Sequence, residues 1–421
     1  MPSRHLPVRP DLDQLRHQAK DLLRAIRTGS ADAVEELKIH HPDSIDPPSA
    51  KLAHAQLVLA RSYGVSSWPR LVQSAKLIDA IWSDDVEAVR ALVTSNPHLI
   101  HQDARAVKGN WGPPMSYAAN LGRDRIIRML YELGATDLEF ALQRAALQGQ
   151  IGTAKLLHEL LGHPVPPEGS LGGPAYTLSE SGTALLLDAG ARVVDGDGQR
   201  LAPVDVVLET DSRRPEAKHA ILEMYASRGL QLPDTPTMAL HRGRLDLLEA
   251  HIRRDPSVLN RRFAHEEIYP RAMGCKDPLD ATVGTPLGGT TLLHMCVDYD
   301  ELDIARWLIE RGADVNAPSD LDADGFGGYT PLFCSVVSQP NFWMNYQSRA
   351  QVAPFTELLL AHGADVSVRA SLRKRLHPGH GDSSGQEYRD VTKLSWGWRF
   401  HAKVFVSQPA LALIEDAGGT E

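Results

Sequence analysis

The chain has 421 residues, 43% of them hydrophobic and 23% charged, which excludes an intrinsically disordered segment and leaves room for several domains or one long solenoid. Its formal charge of -9, from 53 acidic and 44 basic residues with no long basic block, argues against nonspecific nucleic-acid binding. No run approaches the roughly 18 apolar residues of a membrane span, and Met1 to Pro7 lacks the apolar core of a signal peptide, so the expectation is a soluble, cytoplasmic protein.

The three cysteines, Cys275, Cys296 and Cys334, form no C-x-x-C pair, and an odd number argues against a disulfide framework. Cys296 and Cys334 fall in predicted helices, where a free thiol is expected to act as a small core hydrophobe.

In chain order, Leu12, Leu15, Ala19, Leu22, Leu23 and Ile26 recur at helical spacing behind the start signal Pro10-Asp11. Three distant segments then align. Ala25-Ile26-Arg27-Thr28-Gly29, Ala80-Ile81-Trp82-Ser83-Asp84 and Ala239-Leu240-His241-Arg242-Gly243 each lead into a helix stopped by a proline (Pro42, Pro97, Pro256) 13 residues after the turn residue. Between the first two lies an apolar helix around Ala50 to Leu59, and another is expected after Ser67-Trp68-Pro69, with Ser67 as N-cap. Helix pairs are read at 114–135 and 145–160. Residues 162–175, rich in Pro and Gly, are expected to be loop. The pattern degrades over 172–232, where Ala184 to Ala191 is a clear second helix and Pro203 to Val207 with Ala220 to Tyr225 a further pair. After the unit at 234–256 comes a long insert at 257–289.

Next follows the most regular stretch. Thr291-Leu292-Leu293-His294-Met295-Cys296 reads as a short helix, Leu302 to Ile309 as a longer one, and Arg311-Gly312-Ala313-Asp314-Val315-Asn316 as its stop. This resembles an ankyrin repeat, whose pattern is T-P-L-H, A-A, a glycine, an apolar second helix and G-A-D-V-N; Leu292 stands in place of the proline and Asp300 in place of the first glycine. Thr330-Pro331-Leu332-Phe333 opens another unit, with Thr330 expected to cap it. The last runs from Tyr388 to Ile414. The resemblance implies an all-α ankyrin-repeat solenoid of helix-turn-helix units with long finger loops. It divides the chain into an N-terminal helical cap at 1–76, of the kind that precedes repeats in bacterial proteins, and repeats at 77–421. The inserts fall at 257–289, 317–329, 338–353 and 373–387, the last a polar Gly/Ser/His loop. In such a fold His294 is a structural hydrogen-bonder between neighbouring units, and Gly134, Gly190, Gly312 and Gly363 are left-handed helix stops.

Several constellations could carry chemistry. His265-Glu266-Glu267, with Tyr269 nearby, could do acid–base work, but the H-E-x-x-H spacing of a zinc protease is missing. Asp320, Asp322, Asp324 and Gly325 begin like a calcium loop, yet the twelfth position is Pro331 where a bidentate Glu is needed; an acidic finger turn is the plainer reading. His377, His380 and Asp382 offer metal-ligating atoms on a glycine-rich loop. Gly325 to Gly328 lacks the G-K-[ST] ending of a phosphate loop, and the basic run Arg369 to Arg375 reads as a solvated face. Phe326, Tyr329, Phe342, Trp343 and Tyr346 gather near one finger and form the candidate partner-binding patch. The resulting expectation is a scaffold that binds a protein partner through its concave face and fingers, with no cofactor, no metal, no nucleic acid and no membrane. The alternative is an enzyme whose inserts close a pocket over the groove around His265, Glu266, Asp322 and Asp324, in which a small molecule would also fit.

Overall fold

The computed structural model describes residues 4–276, 285–349, 351–375 and 385–421. His377, His380 and Asp382 lie outside the described residues. Contacts divide the chain into two compact units, Met1–Val165 and Pro166–Glu421.

The first unit opens with the helix Leu12–Arg27, whose N-cap Asp11 accepts the Gln14 N–H at 2.7 Å. Leu15, Ala19, Leu22 and Ile26 form its buried stripe and join Val58, Leu59 and Leu71 from the helices Leu52–Ser62 and Trp68–Trp82 in one core. Ser67 occupies the N-cap position of the latter helix without a side-chain capping bond. That helix runs through the expected 76/77 junction and pairs with Val86–Ser95. The pairs Pro114–Asn120 with Asp124–Glu132 and Leu138–Leu147 with Ile151–Leu160 follow. Ala118, Ala119, Ala145 and Ala146 are fully buried on the first helices, where small side chains let adjacent pairs approach; Ile126, Ile127 and Leu130 fill the seam between them.

The second unit repeats this arrangement: Gly172–Thr177 with Glu180–Asp188, Val204–Glu209 with Pro215–Ser227, Pro236–His241 with Leu245–Arg254, Leu292–Asp298 with Leu302–Glu310, Pro331–Val336 with Pro354–Ala361, and Lys393–Arg399 with Gln408–Asp416. Two expectations are corrected here. The loop expected at 162–175 already contains the start of the helix Gly172–Thr177, because burial of Pro174 and Ala175 against the next pair outweighs the weak helical propensity of two glycines. Thr330 stands at the N-cap position but makes no capping bond, and its buried hydroxyl has no hydrogen-bond partner.

The described ends of the insert expected as a polar loop at 373–387 belong to paired strands. Strand β1 (Ala370–Arg375) pairs antiparallel with β2 (Gly385–Val391), in the register Leu372–Tyr388, Arg373–Glu387 and Lys374–Gln386. Ala370, Leu372 and Lys374 share the buried side, as the two-residue period of a strand requires. The basic run therefore does not lie wholly on a solvated face: Lys374 is 7% exposed. The insert at 338–353 is also ordered locally, as the helix Gln339–Tyr346.

Candidate ligand cavity among three fingers

The long inserts of the second unit meet edge to edge. Phe263 N–H donates to the Thr290 carbonyl and Gly289 N–H to the Phe263 carbonyl, both at 2.8 Å, which folds the first finger back on itself. Asp320 N–H then donates to the Gly289 carbonyl at 2.8 Å, tying the second finger to the first. Gly327 N–H donates to the Ser371 carbonyl at 2.7 Å, joining the second finger to β1. The glycines are needed for this closeness. A Cβ on Gly327, whose φ is +129°, would run into the Asp320 carbonyl oxygen, and one on Gly289 would come within 2.9 Å of the Asp320 Cβ.

These fingers surround a cavity of about 500 Å³, within the range of small-molecule sites. Tyr269, Leu287, Phe326, Tyr329 and Leu372 line it and are buried, while Leu321, Asp320, Asp322 and Arg373 line it and are exposed. Its enclosed part is thus apolar and aromatic, and its mouth is charged. His265 and Lys374 also line it.

The acidic finger turn is locked in place. Asp322 Oδ1 accepts the N–H groups of Asp324 (2.9 Å) and Phe326 (3.0 Å), while Arg373 reaches Asp322 at 2.5 Å and Asp324 at 2.9 Å. The Phe326 N–H, followed by Arg373, holds the Asp322 carboxyl below the usual carboxylate range. Asp320 lies 3.5 Å from Arg262. Arg373 and Arg389 each stack on the Phe326 ring, at 4.7 and 4.2 Å from its centre.

Of the four acid–base candidates, His265 and Asp322 line the cavity together. Asp324 joins them only through Arg373, and Glu266 is exposed outside the lining. His265 Nε2 lies 3.1 Å from the Lys276 carbonyl. The five aromatics do not form one patch. Phe326 and Tyr329 are buried at the cavity, and the Tyr329 hydroxyl donates to the Pro286 carbonyl at 2.8 Å. Phe342 stacks on Phe405 at 5.0 Å, Trp343 Nε1 donates to the Asp211 carbonyl at 2.5 Å, and Tyr346 is 73% exposed. Among the described residues no cluster of three or more His, Cys, Asp or Glu side chains is arranged to hold a metal ion.

A buried polar network that the sequence did not reveal stands behind the cavity wall. The Tyr269 and Tyr299 hydroxyls are 2.8 Å apart. Arg213 donates to the Asp298 carboxylate at 2.9 Å and to its backbone carbonyl at 2.7 Å, and lies over the Tyr299 ring. Lys218 donates to Glu301 at 2.9 Å, and its Nζ lies 4.2 Å from the centre of the Tyr299 ring. Burial pushes the Lys374 ammonium down to about 8, with Asp298 opposing the shift and Arg213 adding to it. The signal for Lys374 was its place two residues after Leu372, on the inward side of a strand.

His294 has the expected structural role. Its Nδ1 lies 2.9 Å from the Thr291 hydroxyl, and Nε2 is 3.1 Å from the Tyr329 carbonyl of the next finger.

Stacked helix pairs with glycine stops and projecting fingers define a mostly helical repeat fold. The family model described as the ankyrin repeat matches residues 288–320, the stretch that contains His294 and Gly312. Among solved structures the chain is similar to the human ASB11 ankyrin repeat domain, at 17% identity over 73% of this chain and 99% of that one, with a TM-score of 0.26. No curated protein matches the chain. No described helix is long and apolar enough to cross a membrane.

Proposed function

We propose that the protein is a recognition scaffold that binds a protein partner through its concave face and fingers, with the finger cavity of the second unit as the anchoring point. One observation carries this reading: the described residues of three separate inserts, at 263–276 with 285–290, 319–329, and 370–375 with 385–391, bond to one another around a cavity of about 500 Å³. Long loops that converge on a cavity are a common way to present a binding site from a repeat scaffold. Leu321, 68% exposed at the mouth, is the residue a partner would meet first.

The acid–base alternative has His265 and Asp322 on the same lining in its favour. Asp322, however, is held by two backbone N–H groups and Arg373, and a carboxylate so stabilised is a weak base. Recognition is therefore the better use of this geometry. A photo-crosslinking residue at Leu321 tests it, with Leu245, exposed on a helix of the same unit, as the control position. The expected result is one discrete protein adduct from position 321 and none from 245. Equal, diffuse labelling from both would overturn the reading.

A further inference from the structure

The glycine stops of the second helices end in a common way. Ala135 N–H donates to the Leu130 carbonyl, Ala191 N–H to that of Leu186 and Ala313 N–H to that of Leu308, each bond joining two buried apolar residues. This kind of helix stop brings the two side chains together, and a hydrophobic contact is their usual use. The helix Ile151–Leu160 ends by the same bonds. Gly162 N–H donates to the Glu159 carbonyl and His163 N–H to the His158 carbonyl, both at 2.9 Å, with φ +80° at Gly162 and +55° at His163. Here the paired positions carry His158, half-buried, and His163, exposed. Closing the helix end does not call for two imidazoles.

Their rings are held as a pair of metal ligands would be. The two Nδ1 atoms are 3.4 Å apart, with the ring planes at 81°. Imidazole nitrogens bound at about 2.0–2.1 Å to one tetrahedral ion lie roughly 3.3–3.4 Å from each other. His158 Nε2 is 2.9 Å from the Pro164 carbonyl. A carbonyl only accepts, so Nε2 carries the proton, and in the neutral ring Nδ1 presents its lone pair towards His163. A backbone carbonyl on the far nitrogen is the support that metal-bound histidines ordinarily have. His163 can join without a change of charge: its proton moves from Nδ1 to Nε2 and the ring stays neutral.

We propose that His158 and His163 form a two-histidine site for a divalent transition ion, such as Zn²⁺, Ni²⁺ or Cu²⁺, bound through both Nδ1 atoms. No third His, Cys, Asp or Glu side chain among the described residues joins the pair, so water completes the ion's shell and the site is open and exchangeable. Imidazole selects these ions over Mg²⁺ and Ca²⁺, which take oxygen ligands, and Cu²⁺ should bind most tightly. The site belongs to the first unit and owes nothing to the finger cavity.

The test is calorimetric titration of the full chain with ZnCl₂ at pH 7, beside His163→Asn and His158→Gln. Asparagine accepts the left-handed backbone at 163 and replaces the imidazole by a poor metal ligand, so a changed titration of that variant reports the ion and not the fold. The wild type should bind one equivalent of Zn²⁺ that each variant loses or holds about tenfold more weakly, the least that a lost ligand should cost when an outer-shell partner already costs as much. With isotope-labelled histidine, the same equivalent should shift two ring signals together, and those two signals should not shift in either variant. Either variant decides the matter if the other does not fold. No Zn²⁺ bound by the wild type, or the same stoichiometry and affinity in the wild type and the variants, overturns the site. The same two shifts with CaCl₂ would overturn its assignment to transition ions.

Discussion

Asp300 occupies a left-handed backbone conformation, φ +62°, at the turn where the repeat pattern has glycine, and Asp84 does the same at φ 55° where its aligned partners are Gly29 and Gly243. Asp300→Gly should therefore raise stability by about 1 kcal/mol, the cost of a side chain in this region. Asp300 is exposed at the turn, yet desolvation of its carboxyl by the surrounding chain, then neighbouring Glu301, push it up to about 6, an effect that solvent screening keeps small. A raised acid binds its proton more readily in the folded state, so its contribution is present below pH 4 and is lost as pH rises through 6. The gain from Asp300→Gly should then be larger at pH 8 than at pH 4, by denaturant melts at both. His294 works in the opposite direction. Burial pushes it down to about 4, so the unfolded chain takes up a proton below about 6.5 while the folded one does not, and stability should fall from pH 6.5 towards 4. His294→Asn should flatten that slope by up to one proton, as read from unfolding free energy against pH. The role of His294 was legible because a short motif fixes both its place on the helix and its reach to the next finger. Lys393 was not legible. It is fully buried and donates to the Asp365 and Val368 carbonyls, tying down a finger from the position after Thr392.

At the scale of elements, helices announced themselves because each has a continuous apolar stripe and a stop residue. Hence the pairs at 114–135 and 291–316 could be read directly. The hairpin could not, since its strands β1 and β2 carry Arg373, Glu387 and Arg389 outward and only Ala370, Leu372, Tyr388 and Val391 as a buried apolar set. Such strands are specified by their pairing with the Gly327 edge more than by their own composition. The same holds for the cavity, which three inserts far apart in sequence build together: His265, Asp322, Phe326 and Tyr329 were legible as residues of interest, whereas their convergence on Tyr269 and Lys374 was not. Gly327→Ala tests the finger-to-finger contact, because its Cβ has no room beside the Asp320 carbonyl. We expect faster hydrogen exchange at Gly327 and across β1, with exchange in the helix Leu302–Glu310 unchanged.

Across the molecule, stability comes from seams between successive helix pairs, and the regular seams carry apolar side chains. Leu308 is fully buried in one of them, so Leu308→Asp should destabilise the second unit by several kcal/mol through an unpaired buried charge; an unchanged melting curve would contradict the seam. The Arg213–Asp298 pair is an exception to the apolar rule, with both side chains almost wholly buried. Removing one partner leaves the other charge unpaired, so Arg213→Met should cost about 3–5 kcal/mol, and the double change with Asp298→Leu should recover much of it. A repeat architecture also explains why so much of the fold and so little of the function could be read from the sequence: the recurrent residues are those that stack, and the inserts, where we place the binding site, do not recur.

The most direct measurement of the central claim is hydrogen exchange of the full chain with and without the partner captured at Leu321. Added protection is expected at 287–289, 319–329 and 370–375, with the first unit's helices Leu12–Arg27 and Leu52–Ser62 unaffected. Protection confined to the first unit, with the three fingers unchanged, would contradict it.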